Sequence, residues 1–251
     1  MKRVFFLIIL FAMSGCASGR ENQPQFGKSD PAAYHFQMGV SYLGEGNYTS
    51  ALFELDAAEK LDPDNPELLY NLGRAYVAKK RPDLAVPKYQ KAIQIKENYT
   101  TARNDLGLAY MELKRWDDAI QQFRIVKDDL FYDNTENAAI NLGLAYLGKG
   151  DYPKAQEELR AIAATNPRNP FTRLALGRVL FAMDKTEQAI IEYKRALDVV
   201  KDFGAAYYYL GLAYLKLNNK GAARDSFKEA VRLMPDTDLG HSALEYMDLL
   251  K

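Results

Sequence analysis

At 251 residues the chain has room for one or two globular domains, and its 33 basic and 33 acidic side chains leave no formal net charge. That balance removes any broad electrostatic pull toward nucleic acid or an anionic bilayer. A single cysteine excludes an internal disulfide and any multi-cysteine metal site.

The first element lies outside any fold. Lys2 and Arg3 precede an apolar run over residues 4–12, too short for a stable membrane span, and small residues follow. Residues 1–15 therefore read as a secretory signal segment. The tetrapeptide Met13-Ser14-Gly15-Cys16 looks like a bacterial lipobox, with methionine where leucine is usual. That resemblance implies a diacylglyceryl group on the Cys16 sulfur, with Cys16 as the mature N-terminus, and two or more acyl chains hold a protein firmly on a bilayer. Ala17 rather than aspartate follows, which by resemblance to Gram-negative envelope lipoproteins directs the chain to the outer membrane, facing the periplasm. The polar segment after it, with the lipidated end spanning residues 16–31, reads as a flexible tether.

From residue 32 onward one pattern recurs six times. Gly39, Gly73, Gly107, Gly143, Gly177 and Gly211 are spaced by 34 residues, except for one gap of 36. Three residues after each glycine stands a tyrosine, replaced by Leu180 in the fifth copy, and twelve residues after it stands an alanine. Four residues beyond the alanine comes a large apolar residue, such as Tyr89, Phe123 or Phe227. Within each half-repeat the apolar positions recur at steps of three and four, the spacing of a helix with one buried stripe. Glycine inside a helix costs about 1 kcal/mol against alanine, so its return in every copy points to two helix axes crossing closely. The aromatic of the second helix is expected to fill the wedge between successive hairpins. The copies are bounded at 32–65, 66–99, 100–135, 136–169, 170–203 and 204–237.

Local signals place the helix ends. Asp30-Pro31, Asn65-Pro66 and Asn169-Pro170 pair a capping side chain with proline at the first helical position. Gly44, Gly46 and Asn47, and again Gly148, Gly150 and Asp151, mark turns inside hairpins. Pro87 falls inside a second helix and predicts a kink. The one insertion lies around residues 128–136, and Val126 and Ile162 replace an alanine found in the other four copies, so the middle of the array packs differently. The sole tryptophan, Trp116, reads as packing at a second-helix start. Residues 238–251 carry an amphipathic stripe, Leu239, Ala243, Leu244, Met247 and Leu250, expected to cap the last hairpin.

This pattern resembles the tetratricopeptide repeat, whose spacing is L-G-x2-Y followed by A-x3-F. The resemblance implies an all-α, right-handed α-solenoid of six helix hairpins with a C-terminal capping helix. In that family the first helices form a concave face that holds a segment of another protein. Here the positions that usually point into it read Phe36, Val40, Tyr70, Asn71, Arg74, Asn104, Leu108, Met111, Ile140, Asn141, Leu144, Leu174, Arg178 and Tyr208. A clamp for a C-terminal carboxylate needs clustered cations, and Arg74 and Arg178 stand far apart in the chain. An apolar or amphipathic client segment is therefore expected, with Asn71, Asn104 and Asn141 satisfying its backbone and Phe36, Tyr70 and Tyr208 as anchors.

No constellation for catalysis emerges. His35 and His241 fall at opposite ends of the array, and H-E-x-x-H, phosphate-loop and G-x-S-x-G patterns are absent. The expectation is a non-enzymatic monomer that uses no cofactor, metal, small-molecule substrate or nucleic acid.

The central segment narrows the resemblance. Asn104-Asp105-Leu106-Gly107, Asp129-Leu130-Phe131-Tyr132 and Ala139-Ile140-Asn141-Leu142-Gly143 are similar to motifs that surround the same short insertion in the type IV pilus biogenesis pilotins, the PilW/PilF/Tgl lipoproteins. Tyr110 and Tyr146 stand where that family often has cysteines, and Asp105 replaces an asparagine. The resemblance implies an outer-membrane lipoprotein that binds the pilus secretin and promotes its localisation and multimerisation. The rival reading is a periplasmic adaptor that recruits peptidases or peptidoglycan enzymes.

Overall fold

A computed structural model describes residues 30–250 of the chain. Cys16 and the tether lie outside the described residues. Among those described are thirteen α-helices and no strand. They pair as hairpins: α1 (Pro31–Gly44) with α2 (Tyr48–Leu61), α3 (Pro66–Ala78) with α4 (Pro82–Ile95), and α5 (Thr100–Glu112) with α6 (Trp116–Lys127). The second half repeats this, with α7 (Thr135–Lys149) and α8 (Tyr152–Thr165), α9 (Pro170–Ala182) and α10 (Thr186–Val199), and α11 (Gly204–Lys216) and α12 (Lys220–Leu233). A final helix, α13 (Asp238–Leu249), follows.

The ends of these helices follow from local chemistry. The side chains of Asn65 and Asn169 accept from the second and third helical N–H groups, and Pro66 and Pro170 occupy first-turn positions whose N–H would be unpaired anyway. Asn47, Asp151 and Asn219 cap α2, α8 and α12 by accepting from the third helical N–H alone. Each hairpin turns on one left-handed residue seven positions after its repeat glycine. In the first and fourth hairpins that residue is Gly46 or Gly150; in the others it is Lys80, Lys114, Asp184 and Asn218, all with φ near +60°. The next residue then donates its N–H to the carbonyl five back, as from Arg81 to Tyr76 (2.9 Å) and Asn219 to Tyr214 (2.9 Å). These bonds close the helix C-termini and offset the steric cost of a left-handed side chain.

Packing explains the repeat. Each helix contacts its neighbours in sequence, and the odd helices also touch one another from α1·α3 through α11·α13. No two even helices touch among the described residues, which places the odd set on the inside of the stack. A Cβ on any of the six repeat glycines would strike the side chain sixteen residues on; at Gly107 it would lie 2.7 Å from Cε1 of Phe123. Those side chains, Leu55, Tyr89, Phe123, Leu159, Tyr193 and Phe227, are buried to within 1% of completely. The aromatic of the second helix thus fills the crossing of its own hairpin, not only the wedge between hairpins. Rings still reach the next repeat, as Tyr193 does to Tyr209 at 6.1 Å. Trp116 packs its six-membered ring against Gly148, a close approach that only a residue without a side chain permits.

Two local features depart from the simple pattern. The helix α4 continues as a single element through Pro87. Both Pro87 and Asp83, whose carbonyl loses its i+4 partner, lie on the exposed side of α4, where water can take the place of the missing N–H. The insertion forms the connection between α6 and α7. There the Asp129 carboxylate accepts from the Phe131 N–H (3.0 Å) and from the Thr100 hydroxyl, which holds Leu130 and Phe131 outward at 94% and 96% exposure.

The last helix closes the exposed end of the core. Tyr246 stacks on Phe227 with ring centroids 5.1 Å apart and planes at 10°, and Ala243 is fully buried. Its entry is tight: Thr237 caps Gly240 N–H (3.1 Å), and a Cβ on Gly240 would overlap the backbone carbonyl of Met234. A backbone atom cannot swing away as a side chain can. Gly240→Ala should therefore cost about 1–3 kcal/mol and loosen α13. Hydrogen exchange should show faster α13 amides with the other helices unchanged; equal protection in wild type and variant would contradict this docking.

Candidate functional site

The inner layer carries two hollows that share Leu108. One, of about 280 Å³, lies between α3, α4 and α5 and is lined by Arg74, Val77, Ala78, Tyr89, Asp105, Leu108 and Ala109. The other, of about 400 Å³, spans α5, α7 and α9 and is lined by Asn104, Leu108, Asn137, Ile140, Asn141, Leu144, Phe171, Leu174, Ala175 and Arg178. First helices supply nearly all these residues because the odd helices form the inside of the stack. The repeat glycines seat each first helix closely on its own second helix, and the contacts between successive odd helices put neighbouring side chains on one surface. The result is a mainly apolar trough across the second to fifth hairpins.

A polar group stands at its first end. Tyr70 donates its hydroxyl to Asp105 Oδ2 (3.0 Å), and Asn104 donates to Asp105 Oδ1 (3.3 Å). Burial pushes the Asp105 carboxyl above the ordinary carboxylate range, while these hydrogen bonds and the charge of Arg74 oppose the shift. The Arg74 guanidinium lies 5.7 Å from the Tyr70 ring centroid and donates to Asn71 Oδ1 (3.1 Å). The hydroxyl of Tyr70 is pushed up as well, by burial first and then by the adjacent carboxylate.

Of the side chains assigned to the concave face from sequence, Arg74, Asn104, Leu108, Ile140, Asn141, Leu144, Leu174 and Arg178 meet around these two hollows. The remaining six have other roles. Asn71 is buried and its amide is spent, donating to Glu67 O (2.8 Å) and accepting from Arg74, so it has little left for a client backbone. Phe36 packs into the N-terminal cluster with Leu43 and Leu52. Met111 packs against the central core. Tyr208 is not an open anchor, because α13 folds over it: its ring contacts Tyr209, Phe227 and Tyr246. Val40 is exposed on α1, outside both hollows, and Tyr70 lines neither, its hydroxyl being given to Asp105.

Asn137 and Phe171 line the trough although sequence reasoning passed over them. Both occupy the second position of their repeat, where the other copies have Ala33, Glu67, Thr101 and Ala205, so no shared residue type marked the slot. A larger hollow of about 840 Å³ lies elsewhere, between the α4–α5 turn and the 128–134 connection. Its lining is dominated by polar and charged side chains such as Lys96, Glu97, Arg103 and Asp128, whereas that of the trough is mainly apolar. No group of three or more His, Cys, Asp or Glu positioned for a metal occurs among the described residues, and none of their helices is long and apolar enough to cross a membrane.

The comparisons agree with this architecture. The tetratricopeptide repeat family matches residues 36–100, 140–182 and 174–236. The type IV pilus assembly protein PilF of Pseudomonas aeruginosa is 25% identical over 181 residues, 71% of each chain. The solved structure of Pseudomonas aeruginosa PilF superposes with a TM-score of 0.63 at 20% identity, over 86% of this chain and 97% of that one. PilW, described as a widely conserved type IV pilus biogenesis factor, superposes at 0.70 and 20% identity, over 85% and 98%. The stacked hairpins, the repeat glycines beneath their aromatic partners and these matches make the chain a member of the tetratricopeptide repeat family, homologous to the pilus protein PilF.

Proposed function

We propose that this chain is a non-enzymatic pilotin: an outer-membrane lipoprotein on the periplasmic face that binds the type IV pilus secretin and promotes its localisation and multimerisation. The observation that carries this reading is homology to PilF along 71% of both chains, in a fold whose trough is apolar and open. A solenoid of this kind has no chemistry to perform. Anchored through acyl chains on Cys16, it holds a client segment in the trough and raises the local concentration of secretin subunits at the bilayer.

The test has two arms. Cys16→Ser should move the protein from the membrane to the soluble periplasmic fraction without loss of helicity; unchanged membrane fractionation would remove the lipid anchor. Deletion of the gene should deplete heat-stable secretin multimers. Intact multimers together with a cell-wall defect would sink the pilotin reading and favour an adaptor for peptidoglycan enzymes.

A further inference from the structure

The second hollow is asymmetric in charge. Its lining holds one cation, Arg178, three asparagines and no carboxylate. Arg178 is half-buried on α9, with its guanidinium 4.9 Å from the Tyr209 ring centroid. Beneath it the hydroxyl of Tyr193 is fully buried and unpaired, close enough that the charge of Arg178 acts on it. Among the described residues the five N–H donors of Arg178 find no acceptor and no ion-pair partner. Its neighbours on the inner layer differ. Arg173, on the same helix, is paired with Glu192 at 3.0 Å, and Arg74 donates to Asn71. Of the three asparagines, Asn104 is engaged with Asp105, which lines the adjoining hollow, while Asn137 and Asn141 make no side-chain hydrogen bond within the described residues.

A charge drawn partly out of water, with an aromatic face beside it but no anion, is a site for a counter-ion. Guanidinium geometry matches a carboxylate with two parallel N–H···O bonds. We propose that the client segment carries a carboxylate that docks on Arg178, with its apolar side chains on Leu108, Leu144 and Leu174 and its backbone met by Asn137 and Asn141. This rests on the reading of the trough as the client site and adds the chemistry that the client brings. The carboxylate is an aspartate or glutamate side chain within the segment, since a clamp for a free C-terminus needs clustered cations and this hollow holds Arg178 alone.

A random twelve-residue peptide library selected on the full mature chain carrying Cys16→Ser tests this without presupposing the client. Enriched peptides should place an acid beside apolar residues. Synthetic copies measured by fluorescence anisotropy should lose at least tenfold in affinity to Arg178→Gln and much less to Arg178→Lys. Converting the peptide acid to its amide should cost the same factor in wild type and nothing further in Arg178→Gln. Amidating the peptide C-terminus should leave affinity unchanged; a tenfold loss there would overturn the side-chain assignment. Circular dichroism of Arg178→Gln should match wild type. Peptides weakened by Leu144→Ser but indifferent to Arg178→Gln would overturn the carboxylate and leave the trough standing. Peptides indifferent to both variants, or no enrichment at all, would overturn the trough and this inference with it.

Discussion

Phe123→Ala should destabilise the chain by about 3–5 kcal/mol, the range for removing a fully buried aromatic ring. Phe123 is completely buried on α6, and its ring covers Gly107, which has no side chain to move into the space. The cavity therefore has little means of collapsing. The position within the stack adds a second consequence. Among the described residues the first two hairpins and the last three communicate through α5 and α6 alone, so the damaged repeat is the link between two halves. Repeat arrays gain stability from nearest-neighbour interfaces, and weakening a central unit decouples its flanks. Urea unfolding should change from one transition to two, with the fluorescence of Trp116, on the same helix, reporting before the bulk of the helicity is lost. One coincident transition at the wild-type midpoint would contradict the packing described for this hairpin.

The second large effect concerns the trough. Leu144→Ser combined with Leu174→Ser should weaken binding of the secretin periplasmic region about 5- to 30-fold, or about 1–2 kcal/mol. Each leucine is partly buried in the free protein, so about a third or less of its apolar surface remains for a client to cover, worth about 0.5–1 kcal/mol. Because neither side chain belongs to the fully buried core, helicity should hold. Titration calorimetry against the purified secretin fragment measures the effect. Unaltered affinity in a well-folded double variant would move the client off the α5–α9 surface.

The helices and their pairing were legible in the residues because a solenoid repeats one physical solution. Each hairpin must bring two axes together at a glycine and cover it with a large side chain sixteen residues on, and the constraint recurs with a fixed period. Other features were not legible because they depend on neighbours distant in sequence. Lys80, Lys114, Asp184 and Asn218 adopt the left-handed turn conformation that glycine announces at Gly46 and Gly150. Nothing in a lysine or aspartate advertises that conformation; the hairpin closing around it imposes it. Pro87 sits on an exposed face of α4, which runs through it as one element.

The candidate site divides in the same way. Register alone nominated the face, since every first helix presents the same positions to the inside of the stack. Which of those side chains stay open was decided by contacts that cross between elements. The closing helix α13 covers Tyr208, and the carbonyl of Glu67 and the guanidinium of Arg74 consume the amide of Asn71. The approach of α5, α7 and α9 gathers Asn104, Asn141 and Arg178 around one hollow, although they are scattered over seventy-four residues. Short-range periodicity is set by the helix and is written into the chain, which is why the sequence by itself determined the solenoid and its inner face. The vacancy of a groove and the partnering of its charges arise only when surfaces meet, and those the tertiary structure decided.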